Sequence, residues 1–111
     1  MRPMAALPAV ITENMEEIRR LCRDYHVTKL TVFGSAVRGT FDPQRSDLDF
    51  VVAFEWHDDP LERGRRYLHL WKGLKRLFNR NIDLLEITTI KNPYLAESIS
   101  LTQQSLYDAA A

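Results

Sequence analysis

The chain has 111 residues, 45% of them hydrophobic and 27% charged, which fits one globular domain spanning 1–111 and leaves little room for a second. Its Lys+Arg and Asp+Glu totals are both 15, so the basic excess of a domain that grips duplex DNA is missing, while near-zero net charge removes one brake on homo- or hetero-oligomer formation. The lone cysteine, Cys22, excludes an internal disulfide and a cysteine-built zinc site, and no apolar run approaches the roughly 20 residues needed to cross a bilayer.

The first ten residues, with one Arg and two Pro, are too interrupted for a signal peptide and are expected to be a flexible lead; the cytoplasm is the expected compartment. A first helix is predicted from Thr12 to Asp24, with Thr12 as cap and Ile11, Met15, Ile18, Cys22 and Tyr25 on one face. On that stripe Cys22 reads as a buried apolar residue rather than a reactive thiol. Thr28–Phe33 reads as a strand ended by Gly34-Ser35, and 36–40 as a helical turn.

Residues 46–54 form the clearest strand, with Leu48, Phe50, Val52 and Phe54 on one face and Asp47, Asp49, Val51 and Ala53 on the other. A longer helix over 60–78 follows, capped by Asp58 or Asp59 and burying Leu61, Gly64, Leu68, Trp71, Leu74 and Phe78. Ile82–Ile87 is a third strand carrying Asp83, and a last helix is predicted from Pro93 to Tyr107. The order α-β-α-β-α-β-α implies a small sheet flanked by helices, α/β or α+β in class.

Asp47 and Asp49 stand out. Residues two apart on a strand point the same way and lie roughly 6.5–7 Å apart, and carboxylates that close raise each other's pKa unless a cation sits between them. Magnesium favours a few carboxylate oxygens together with phosphate oxygens, and two metals can clamp both the attacking and the leaving oxygen of a phosphoryl displacement. Asp83, early in the next strand, is the candidate third carboxylate. Gly34 follows a strand and lets the backbone turn sharply near a phosphate. Ser35 offers a hydroxyl and N–H beside it, and Arg38 reads equally as a phosphate fork or a surface ion pair.

The run Gly34-Ser35-Ala36-Val37-Arg38-Gly39, then Ser46-Asp47-Leu48-Asp49, then Asp83, resembles the minimal nucleotidyltransferases of the DNA polymerase β superfamily, with Val37 where the family usually has alanine. The resemblance implies that family's α+β fold with a small mixed sheet. It also implies Asp47, Asp49 and Asp83 as catalytic ligands of two Mg2+ ions, and Gly34, Ser35, Arg38 and Ser46 as nucleotide contacts. The reaction implied is transfer of a nucleoside monophosphate, AMP from ATP, onto a hydroxyl. The Lys91-Asn92-Pro93-Tyr94-Leu95 segment is similar to the antitoxin half of HEPN–MNT toxin–antitoxin pairs. That similarity implies a HEPN-type toxin as partner and its tyrosine as acceptor. An antitoxin acting by occlusion alone, and a transferase acting on a small molecule or an RNA end, remain the competing readings.

Other features have plainer readings. His57-Asp58-Asp59 is a helix cap rather than a metal cluster, and His26 and His69 stand alone. The basic residues of the long helix form a polar face. Tyr67 and Trp71, four apart, read as core or interface groups rather than base-stacking ones.

Overall fold

The computed structural model describes residues 7–110. In chain order they form α1 (Ala9–Thr12), α2 (Met15–Asp24), β1 (Val27–Phe33), α3 (Ser35–Arg38), β2 (Leu48–Phe54), α4 (Pro60–Phe78), β3 (Ile82–Glu86), a 3-10 turn at Ile87–Thr89, α5 (Pro93–Thr102) and β4 (Gln104–Asp108). The four strands make one mixed sheet in the order β3-β2-β1-β4. β1 runs antiparallel to β2 and to β4, and β2 runs parallel to β3 through the α4 crossover. No helix among the described residues is long and apolar enough to cross a membrane.

Strand alternation divides the sheet into two faces. Leu30 and Val32 of β1, Leu48, Phe50 and Val52 of β2, and Ile82 and Leu84 of β3 turn to one side. There they pack with Ile18 and Cys22 of α2 and Leu70, Leu74 and Phe78 of α4. The other side carries a smaller cluster of Phe33, Val51 and Ile99, with Leu85, Ile90 and Leu95 packed on it, so α5 covers only part of that face. Cys22 is fully buried, and burial pushes its thiol up to about 12, which makes it inert.

Three expectations are corrected. The last helix stops at Thr102, and residues 104–108 turn into β4 along β1. Without β4, β1 would present a row of unpaired backbone groups, and Leu106 enters the core as a strand residue instead of a helical one. The first helix is split at Glu13-Asn14, where Asn14 caps α2 while its side-chain amide donates to the Val10 carbonyl at 2.7 Å. The expected flexible lead is therefore helical from Ala9, and 1–6 lie outside the described residues.

The third correction is the buried side of α4, which is Arg66, Leu70, Leu74 and Phe78, while Leu61 is 83% exposed. An apolar pattern passes over this stripe because it contains an arginine. Arg66 is accommodated by the Glu62 carboxylate at 2.9 Å and the Glu55 carbonyl at 3.2 Å.

α4 also finishes the edge of the sheet. The Tyr67 hydroxyl donates to the Leu84 carbonyl, and the Trp71 indole N–H donates to the Ile82 carbonyl at 3.0 Å. Four residues along a helix advance about 6 Å and two along a strand about 6.6 Å, so this spacing satisfies alternate carbonyls of the edge strand. Both side chains pack against the core, and Asp83 lies between the two carbonyls they hold.

Candidate active site

Gly34 ends β1 with φ 76°, a left-handed value that glycine tolerates. A Cβ built on it would lie 2.6 Å from Asp49 Oδ2, so the backbone turn and the Asp49 carboxylate touch. The register agrees, since Phe33 of β1 pairs with Asp49 of β2. On the other side, Asp49 pairs with Asp83 of β3 in the parallel ladder. Directly paired strand residues share a face about 4.8 Å apart, so the second and third predicted ligands are neighbours. Asp47 stands just before β2 and is exposed, as is Asp83, whereas Asp49 is half-buried.

Electrostatics draws the same group together. Burial pushes the Asp49 carboxyl above its usual range, and Asp83 and then Asp47 push it further, with Arg38 pulling against them. Among the described residues, no three His, Cys, Asp or Glu side chains form a group that could hold a metal ion by themselves. The donor set suits magnesium, which keeps several waters and is held by one or two carboxylates plus substrate phosphates, not by an all-protein cage.

The glycine turn has its own supports. The Gly34 carbonyl accepts from the N–H groups of Val37 at 3.0 Å and Arg38 at 3.1 Å. Gly34 takes the cap position, and Ser35 is the first residue of α3. Arg38 is exposed and donates to the Ser98 hydroxyl at 3.3 Å, which ties α3 to α5. Ser46, grouped by its motif with the nucleotide contacts, uses its hydroxyl to accept the Asp42 N–H at 2.8 Å, closing the loop before β2.

Sequence reasoning missed Arg80. Its guanidinium donates to the Pro43 carbonyl at 2.7 Å and the Ser46 carbonyl at 3.2 Å, and lies 5.0 Å from the centre of the Phe41 ring. The neighbouring Asn81 carbonyl accepts the Leu48 N–H at 3.3 Å. Both peptide groups flanking Asp47 are thus fastened to the turn that leads into Asp83. The only hint in the sequence is a lone arginine between two asparagines, which reads as a turn.

Three outcomes follow from this geometry. Arg80→Ala leaves two loop carbonyls without their charged donor and should cost about 1–3 kcal/mol in denaturant unfolding, with weaker binding of an ATP analogue by calorimetry. Gly34→Ala combines backbone strain of about 1–3 kcal/mol with a clash on Asp49, and should lower both the melting temperature and nucleotide affinity. Asp49→Asn should raise the melting temperature in EDTA. A carboxyl whose folded pKa is raised destabilises the fold once ionised, so the gain is largest near neutral pH and disappears as acid protonates Asp49 in the parent chain.

The profile of the "Nucleotidyltransferase domain" family matches residues 15–102. The Methanocaldococcus jannaschii protein named "Putative protein adenylyltransferase MJ1379" is 31% identical over 90 residues, covering 80% of this chain and 87% of that protein. Among solved structures, a chain of a toxin–antitoxin complex with AMP-PNP superposes with a TM-score of 0.64 at 23% identity, covering 86% of this chain and 74% of its own. A chain from the complex of tri-AMPylated Shewanella oneidensis HEPN toxin with MNT antitoxin gives 0.59 at 20% identity, covering 89% and 73%. These structural likenesses speak to the fold, which is the mixed α+β sheet described above. The family match spans β1, α3, β2 and β3 with every residue of the acid and glycine motifs, and the chain belongs to the nucleotidyltransferase domain family.

Proposed function

We propose that this nucleotidyltransferase moves AMP from ATP to a tyrosine hydroxyl of a HEPN-type toxin, with two magnesium ions, and so acts in the cytoplasm as an antitoxin. The observation that carries the reading is the pairing of Asp49 with Asp83 beside a glycine whose missing Cβ makes room for the Asp49 carboxylate. It is further supported by the adenylyltransferase name of the archaeal relative and by the AMP-PNP and AMPylated-toxin complexes of the structural neighbours.

In this reading Asp47, Asp49 and Asp83 would hold the magnesium ions, which would neutralise the charge that builds on the phosphoryl oxygens. Gly34 and Ser35 receive the β- and γ-phosphates at the turn, Ser46 lies alongside the nucleotide, and Arg38 is fixed nearby by Ser98. Asp83 accepts the proton of the tyrosine hydroxyl. The tyrosine oxygen bonds to the α-phosphorus, the bond from that phosphorus to pyrophosphate breaks, and pyrophosphate leaves with the electron pair. Catalysis is mainly positioning and charge compensation.

The direct test is incubation with α-labelled ATP, magnesium and a purified HEPN-type toxin. Label should move to a tyrosine of that protein, and Asp47→Asn with Asp49→Asn should reduce transfer by about a thousandfold or more. Undiminished labelling by the double variant sinks the assigned site. Full toxin neutralisation by a double variant that no longer labels makes occlusion, not catalysis, the mechanism.

A further inference from the structure

Asp83 is exposed, and among the described residues no side chain or N–H meets its carboxylate with a hydrogen bond or a salt bridge. Its acidic neighbours are placed by direct means: the Asp49 carboxylate lies against the Gly34 turn, and the peptide groups flanking Asp47 are held by Arg80 and Asn81. For Asp83 only the backbone beneath it can set where the carboxylate stands. That backbone belongs to an edge strand, which β2 holds from one side.

The other side is held by α4. Successive carbonyls of a strand point to opposite sides. Those of Ile82 and Leu84 point outward, to the Trp71 N–H at 3.0 Å and to the Tyr67 hydroxyl, so the Asp83 carbonyl between them turns inward to β2. The donors are themselves fixed: both pack against the core, and the Lys75 ammonium lies 4.8 Å from the Trp71 ring centre. Water can satisfy an outward carbonyl at an exposed edge, so the net stability gained from each bond is small. What the pair adds is register, because β3 cannot slide or fray against β2 there without breaking both bonds. The far end of the same edge is finished locally, the Glu86 carbonyl accepting from the Thr89 hydroxyl at 2.7 Å. Among the described residues, the long-range donors serve only the stretch that carries the acid.

We propose that Tyr67 and Trp71 are positioning residues for Asp83: acting through the strand backbone, they hold its carboxylate beside that of Asp49 so that the two can serve a common cation. The inference rests on the acidic site assigned above. It gives two aromatic residues of the long helix a part in the chemistry without contact with nucleotide, metal or acceptor. Asp49 and the glycine turn do not depend on these bonds, since β1 holds them through the Phe33–Asp49 pair. Loss of either donor therefore loosens the third acid and leaves the phosphate side of the site as it was.

The test is a double-mutant cycle read with Mn2+. The ion is titrated onto the full chain in excess of a saturating non-hydrolysable ATP analogue, and the electron paramagnetic resonance signal of the free ion gives its Kd. Tyr67→Phe removes one hydroxyl and keeps the ring, so it should melt with the parent. It should raise the Mn2+ Kd about tenfold in the parent and leave it unchanged in an Asp83→Asn background, where no carboxylate remains to be placed. Trp71→Phe repeats the measurement at the second carbonyl, and Thr89→Val, which removes the donor at the far end of the edge, should match the parent. In the labelling assay Tyr67→Phe should lower kcat in proportion with KM for ATP unchanged. An unchanged Kd in Tyr67→Phe, an equal rise in the Asp83→Asn background, or the same rise in Thr89→Val overturns the proposal and leaves the acidic site standing. A parent chain that takes up no Mn2+ beyond that of the analogue overturns both. If the Mn2+ cycle holds and the parent labels no HEPN-type toxin, the positioning role stands and the acceptor reading falls.

Discussion

Repulsion among Asp47, Asp49 and Asp83 is the constraint around which one end of this sheet is arranged. A bare sheet face would hold such a group poorly, because each ionised carboxylate raises the cost of the next. The fold tolerates it by leaving Asp47 and Asp83 in solvent and sinking only Asp49 partway, where the glycine turn and the charge of Arg38 meet it. α5 covers the same face further along, over Phe33, Val51 and Leu85, and leaves the acidic end open. The open end is therefore a place of electrostatic cost, which a cation bound there would relieve.

Holding like charges together requires rigid backbone, and two devices supply it. Arg80 and Asn81 fasten the peptide groups on either side of Asp47 to the turn before β3. Tyr67 and Trp71 fasten the outer carbonyls on either side of Asp83 to α4. The devices act on different acids from different directions but share the segment 80–84. That short stretch ties the loop before β2, the edge strand and the long helix into a single unit.

Much of this was legible in the sequence, and the residues show why. Leu48, Phe50 and Val52 alternate so regularly that strand and face were readable, and all three are fully buried, although Asp47, expected on the strand, falls just before it. The motif Gly-Ser-x-x-Arg-Gly with Ser-Asp-x-Asp led to the family that the comparisons show. Features resting on interactions distant in sequence stayed hidden. β4 forms because β1 needs a partner, a requirement that no local pattern in 104–108 expresses. Arg66 is buried because Glu62 and a carbonyl of Glu55 await it, and Arg80 matters through a loop far upstream. Gly64 looked like part of the packed stripe, and only coordinates reveal that it faces empty space.

The crossover that joins β2 to β3 has a consequence for how the protein comes into being. Antiparallel neighbours such as β1 and β2 can close by local zippering, but a parallel pair must wait for its intervening helix, here the nineteen residues of α4. The two facing aspartates belong to that parallel pair. The acidic pair is thereby reserved for finished molecules: a nascent or half-folded chain carries the acidic residues but has nowhere to gather them.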